Sequence, residues 1–119
     1  MKYILLIYSN EAQWPVMNPE QQKQGLAAYT AYTEALNAAG VRVASDRLRP
    51  TTTATSVRIV NGETKVLDGP YAESKEQLAG FYMIDVPDLD TALSWAARCP
   101  GASYGTMEVR PVWEFPYVD

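Results

Sequence analysis

Histidine does not occur anywhere in this chain. Its absence removes the side chain whose unperturbed pKa lies nearest neutrality. Ser–His and Cys–His nucleophile pairs are excluded, as are zinc sites built on histidine. Acid–base chemistry here has to run on carboxylates, tyrosine, lysine, the single cysteine or bound water. That cysteine, Cys99, has no second thiol to pair with inside the chain. It precedes Pro100 with no activating partner in view and reads as a small buried residue.

Positive charge is also in short supply. Ten Lys and Arg residues face fourteen Asp and Glu, for a formal net charge of −4, and the isoelectric point is about 4.8. The basic residues are scattered rather than gathered into a stripe, so nucleic acid is excluded as a partner class. Long apolar runs are missing as well. The longest, Tyr3–Tyr8, is far below the roughly 20 residues of a membrane-spanning helix. It follows one basic residue and leads into no small-residue cleavage site, unlike a signal peptide. The expectation is a soluble, cytoplasmic protein with no membrane partner.

What remains is an ordinary globular composition, 47% hydrophobic and 20% charged over 119 residues. One domain spanning 1–119 is expected, and a chain of this size buries roughly two-thirds of its unfolded surface. Lys2–Tyr8 reads as a strand whose near-continuous apolar character implies burial on both faces. Asn18–Pro19–Glu20–Gln21 is a helix start, with Asn18 as cap, Pro19 in the first turn and Gln21 returning a hydrogen bond. The helix should run to about Ala39, with Gly40 ending it. Tyr29, Tyr32, Leu36 and Ala39 then share one apolar face.

Val41–Ala44 reads as a second strand, followed by a Thr-rich connection over Arg49–Thr55. Ser56–Val60 and Glu63–Leu67 flank Asn61–Gly62, the dipeptide that favours a type I′ hairpin turn. Asp68–Gly69–Pro70 breaks the strand, and Ser74 with Gln77 suggests a capping box on a short helical turn. Phe81–Val86 is a further strand. Asp88 caps a second helix with Leu89, Ala92, Leu93, Ala96 and Ala97 as its buried stripe, and Pro100–Gly101 stops it. Thr106–Trp113 is the last strand.

The order is β-α-β, hairpin, β-α-β, which points to an α+β fold: a ferredoxin-like βαββαβ sheet with an added β-hairpin. Such a sheet has helices on one face only. Tyr3, Leu5, Phe81 and Met83 would leave a large apolar patch on the other. Packing two such faces together gives a homodimer and a dimeric α+β barrel.

The stretch Asp68–Gly69–Pro70–Tyr71–Ala72–Glu73–Ser74–Lys75–Glu76–Gln77–Leu78, continuing through Ala79–Gly80–Phe81–Tyr82, resembles the signature of the YCII-related family. It is similar in particular to the subgroup named for its Asp-Gly-Pro-Phe (DGPF) motif, with Tyr71 in place of Phe. Ala39–Gly40–Val41 and Met107–Glu108–Val109–Arg110–Pro111–Val112 also look familial, so the resemblance covers nearly the whole chain. It implies the same ferredoxin-like fold and dimeric barrel. It further implies a cleft where some members use a His–Asp pair, and a relative that removes chloride from a chlorinated hydroxyquinone. A link of the subgroup to extracytoplasmic-function sigma factors is implied too. The family's first-helix His falls at Tyr29 here, and a tyrosine near its ordinary pKa of about 10 is a poor base at neutral pH.

Asp68 is the leading catalytic candidate, because a strand-ending loop can present a carboxylate to a cleft. The plainer explanation is that it fixes the Gly69–Pro70 turn. Tyr29 is the second, set against an ordinary place in the core. Tyr71, Lys75 and Arg47 are candidates for binding substrate, as an aromatic wall and two cations, against solvated surface positions. Asp85, Asp88 and Asp90 lack the spacing of a calcium loop. No metal or cofactor is assigned. The reading is a small-molecule-binding homodimer with a cofactor-independent lyase or proton-transfer activity on an anionic or phenolic ligand. Its rival is a non-catalytic regulatory domain that partners a sigma factor.

Overall fold

A computed structural model describes residues 1–115. Six strands and three helices follow one another as β1 (Lys2–Ser9), α1 (Pro19–Ala38), β2 (Arg42–Arg47), β3 (Thr55–Val60), β4 (Glu63–Asp68), β5 (Gln77–Asp85), α2 (Leu89–Arg98), α3 (Gly101–Tyr104) and β6 (Thr106–Pro111). Short 3-10 turns occupy Glu11–Gln13 and Thr51–Thr53. The expected order of strands, helices and hairpin is present. It is a mixed α/β fold with two sheets, one of four strands in the order β2-β5-β1-β6 and one made of β3 and β4.

The register sets the core. Across the β1–β5 pair, Tyr3 faces Ile84 and Leu5 faces Tyr82, while Ile4 faces Met83 and Leu6 faces Phe81. Because side chains alternate across a strand, the first set shares one face of the sheet and the second set the other. Tyr3, Leu5, Ile7, Tyr82 and Ile84 are buried together with Tyr32 and Leu36 of α1 and Ala92 and Ala96 of α2. Both long helices therefore cover the same face.

Tyr3 and Leu5 thus lie beneath the helices and not on the bare face expected for them. Ile4, Leu6, Phe81 and Met83 hold that opposite face, each partly exposed. The sheet is open, with β2 and β6 as its edges, and the hairpin forms a separate sheet rather than extending it. The expected dimeric α+β barrel is corrected accordingly: among the described residues no barrel closes, and neither the fold nor the similarities to other proteins carry evidence of a dimer. β1 also alternates between buried and half-buried residues instead of being buried on both faces.

Local signals fare better where they are chemical. Asn18 Oδ1 accepts from the Gln21 amide at 2.8 Å, and Gln21 Oε1 accepts from the Asn18 amide at 3.0 Å, completing the capping box of α1. Gly40 takes φ 72° beyond its end. Asn61 and Gly62 take φ 52° and 79°, as a type I′ turn requires. Asp88 caps α2 through the Thr91 amide at 2.8 Å.

Ser74 and Gln77 do not cap a helical turn. Gln77 opens β5, its Nε2 donating to the Ser74 carbonyl, while the Ser74 hydroxyl donates to the Glu76 carbonyl. On α2 only Ala92 and Ala96 of the expected stripe are buried; Leu89 and Leu93 are exposed. The apolar positions are right for a helix, but α2 rests on the sheet through its small residues, with Cys99 buried just beyond. Pro100–Gly101 ends α2 and starts the short α3 rather than a loop. The radius of gyration, 16.5 Å, exceeds the roughly 13–14 Å of a compact chain this long, because the β3–β4 hairpin extends from the body.

Candidate active site

A cavity of about 460 Å³ opens between the helix-covered face of the sheet and the N-terminal half of α1. Its floor comes from Ile7, Ser45, Arg47, Gly80 and Tyr82, its side from Gly25, Leu26 and Tyr29, and its rim from Trp14 and Tyr104. The placement follows from the register. Arg47 of β2 faces Gly80 of β5, which faces Ile7 of β1. With no side chain at Gly80, the backbone of β2 comes close to β5 at this point, and Arg47 lines the cavity beside it.

Trp14 closes the outer side. Its ring packs over Gly25, where an added Cβ would lie 3.5 Å from the indole, and Gln22 Nε2 donates to the Trp14 carbonyl at 2.9 Å. The Arg47 guanidinium sits over the indole, 4.7 Å from the ring centroid. This is a cation–π contact, and the planar guanidinium carries further N–H donors. No protein acceptor engages them among the described residues.

A carboxylate holds the loop together. Glu11 accepts from both the Thr51 amide and the Thr51 hydroxyl, at 2.8–3.0 Å to its two oxygens, and the Glu11 amide donates to Gln77 Oε1 at 3.0 Å. The segment carrying Trp14 is thereby tied to the connection after β2 and to the start of β5.

At the rim, the hydroxyls of Tyr29 and Tyr104 lie 2.6 Å apart. Thr33 Oγ1 donates to the Tyr29 carbonyl and is also 2.8 Å from the Tyr82 hydroxyl. Burial, followed by the hydrogen bond with Tyr104, pushes Tyr29 well above the ordinary tyrosine pKa. Burial raises Tyr82 as well, opposed by its hydrogen bond with Thr33. These phenols stay protonated at neutral pH and act as donors, not bases.

Of the residues singled out from the sequence, Tyr29 and Arg47 line this cavity. Asp68, Tyr71 and Lys75 do not. Asp68 ends β4, is exposed, and its side chain makes no hydrogen bond among the described residues; the turn is held instead by the Gly69 amide donating to Ala54 and the Ser56 hydroxyl donating to the Gly69 carbonyl. Tyr71 is 85% exposed. Lys75 is exposed on the same loop, which borders a second, shallower depression of about 360 Å³ lined by Thr51, Gly69, Pro70 and Ser74.

Sequence reasoning missed Trp14, Glu11, Tyr104 and Gly80. The stretch between Ser9 and Asn18 carries no periodic pattern. Glu11 and Trp14, both ahead of Pro15, were its only signal.

Comparison with known proteins places the fold in context. The YCII-related domain model matches residues 1–116, so the chain belongs to the YCII-related family. An uncharacterized protein of Rhizobium meliloti (strain 1021) is 40% identical over 114 residues, spanning 94% of this chain and 92% of that relative. Among solved structures, 5-chloro-2-hydroxyhydroquinone dehydrochlorinase from Burkholderia phenoliruptrix AC1100, in complex with 2,5-dihydroxybenzoquinone, aligns with a TM-score of 0.54 over 94% of this chain and 93% of that one. At 15% identity that likeness is one of fold.

Proposed function

We propose that the cavity binds a small anionic phenol or hydroxyquinone and that the protein is a cofactor-independent enzyme of the lyase or proton-transfer type. The observation that carries this reading is Arg47. Its charge lines a largely apolar cavity, over the Trp14 ring, and its guanidinium meets no protein acceptor among the described residues. A planar, singly or doubly oxygenated ring matches the aromatic walls, and a guanidinium edge matches an oxyanion. A cavity of this volume lies within the range for small-ligand sites. The dehydrochlorinase of similar fold, with its dihydroxybenzoquinone ligand, supports the same class. Tyr29 and Arg47 are the assigned site residues; Asp68, Tyr71 and Lys75 stand outside this cavity and take no part in the proposal. The loop Asp68–Gly69–Pro70–Tyr71 supports placing the chain in the DGPF-motif subgroup. The regulatory reading through a sigma factor gains no observation.

The chemistry follows from what the walls hold. With phenols as donors and a guanidinium as the charge, the site stabilises negative charge developing on a ring oxygen, as proton loss or halide elimination demands. No hydroxyl or thiol in the cavity has a base beside it, so a covalent route is not proposed. The experiment is calorimetric titration with 2,5-dihydroxybenzoquinone, together with chloride release from 5-chloro-2-hydroxyhydroquinone. Binding that Arg47→Met weakens at least tenfold supports the reading. Absence of binding, or binding indifferent to Arg47, refutes it.

A further inference from the structure

Where Tyr29 and Tyr104 meet, two hydroxyls share one hydrogen bond with 2.6 Å between oxygens. Each hydroxyl has one proton to give and can also accept. In the pair, one oxygen accepts its neighbour's proton, so its own proton remains to be donated elsewhere, and donating while accepting strengthens that outgoing bond. Both residues line the cavity.

The pair is also held in place. Tyr29 packs against the core cluster, and its oxygen fits where Gly101 has no side chain; a Cβ there would lie 3.0 Å from it. Tyr104 ends α3, the helix that Gly101 opens. The close approach at one end of this four-residue helix and the hydroxyl contact at the other fix the same tyrosine.

We propose that the Tyr29–Tyr104 pair is a fixed proton donor to the ionised oxygen of the ligand, so that the cavity takes acidic phenols as phenolates in preference to their neutral forms. The inference rests on the small-phenol reading of this cavity and adds the ionisation state and the residues that select it. The charges around the site agree. Two carboxylate residues also line the cavity: Glu11 is committed to Thr51, and Asp46 pairs with Phe81 in the register, one position along β2 from Arg47, so that the two side chains leave the strand on opposite faces. Arg47 supplies the facing positive charge, with Arg49 at the rim. The titratable groups acting on Tyr29 are Tyr104, Cys99 and Tyr82, and each raises its pKa. Burial and the shared hydrogen bond hold the Tyr29 proton far more tightly than an acidic phenol holds its own. The proton therefore stays on the tyrosine, and the ligand oxygen stays charged.

The test uses 4-nitrophenol, whose anion is coloured, and 4-nitroanisole, a neutral match without the ionisable hydroxyl. Absorbance titration of wild-type protein with bound 4-nitrophenol should show it ionising at lower pH than in free solution. Tyr104→Phe and Tyr29→Phe should each weaken 4-nitrophenolate binding about ten- to a hundredfold, the range of a hydrogen bond to a charged group, and leave 4-nitroanisole binding unchanged. Tyr104 is more than half exposed, so its variant keeps the test decisive if Tyr29→Phe fails to fold. If 4-nitrophenol binds as the neutral phenol, or binds as strongly to both variants, the donor role is overturned and the phenol-binding cavity stands. If neither probe binds, the cavity reading falls and the inference falls with it.

Discussion

Two glycine-to-alanine changes should move stability in opposite directions, because the structure gives the added methyl different neighbours. At Gly80 a Cβ would lie 2.7 Å from the Asp46 carbonyl oxygen and 3.4 Å from Arg47 Cα. Both belong to the backbone of β2, which cannot rotate aside as a side chain can. Reaching ordinary contact requires β2 to retreat by about 0.5–1 Å. Overpacking of this kind costs about 1–3 kcal/mol, and the stiffer unfolded chain returns about 0.4–1 kcal/mol of it. The net is a loss of up to about 2.5 kcal/mol, or up to about 10 °C in melting temperature for a domain of this size.

At Gly25, inside α1, the Cβ would meet only Trp14 Cζ3 at 3.5 Å, an ordinary contact. Helix propensity then adds up to about 1 kcal/mol, a rise of about 3–6 °C. Thermal melts of both variants by circular dichroism check the pair of signs. A Gly80→Ala variant that melts above the wild-type temperature would refute the close approach of β2 to β5 beside Arg47.

Further outcomes follow from single contacts. Leu36→Ala, at a fully buried core position, should cost about 3–5 kcal/mol in a denaturant titration. Glu11→Ala should speed hydrogen exchange at the Thr51 amide, which donates to that carboxylate, while the β1 amides keep their protection. The Thr91 hydroxyl and amide bonds hold the Asp88 carboxyl below its ordinary pKa. Its contribution is therefore complete above the unfolded value near 3.9 and is lost as pH falls through the lower folded value; Asp88→Asn, still a good cap, should flatten the acid side of a plot of Tm against pH. Burial raises Tyr29, Tyr32 and Tyr82, so their folded forms hold protons that the unfolded chain releases. Stability should fall as pH rises above about 10, and tyrosinate absorbance should show these three ionising only as the protein unfolds.

How much of this was legible in the sequence depended on the range of the interaction involved. The capping box at Asn18 and Gln21, the Asn61–Gly62 turn and the Asp88 cap are contacts within three residues, decided by local chemistry. The division of β1 into two faces was not. Tyr3 and Leu6 are both apolar, and only pairing with Ile84 and Phe81 decides which lies beneath the helices. The expected bare face was drawn wrongly at that step, with Tyr3 and Leu5 on it in place of Ile4 and Leu6.

The site shows the same limit more sharply. Asp68 drew attention because its motif is local and its carboxylate sits at a strand end, yet a tripeptide specifies a turn and says nothing about which cavity the turn borders. Tyr29 stood out only as a position within a helix. What gives it chemical character is Tyr104, 75 residues further along, brought there because Gly101 lets α3 close against Ile7 and Tyr29. The role proposed for Arg47 likewise rests on two residues distant in sequence: Gly80, where β2 and β5 close up, and Trp14, whose ring lies under the charge. In a chain without histidine, acid–base capacity cannot come from one side chain with a suitable intrinsic pKa. It has to come from pairing groups of unsuitable pKa in an enclosed space, and the sequence alone does not reveal such pairings.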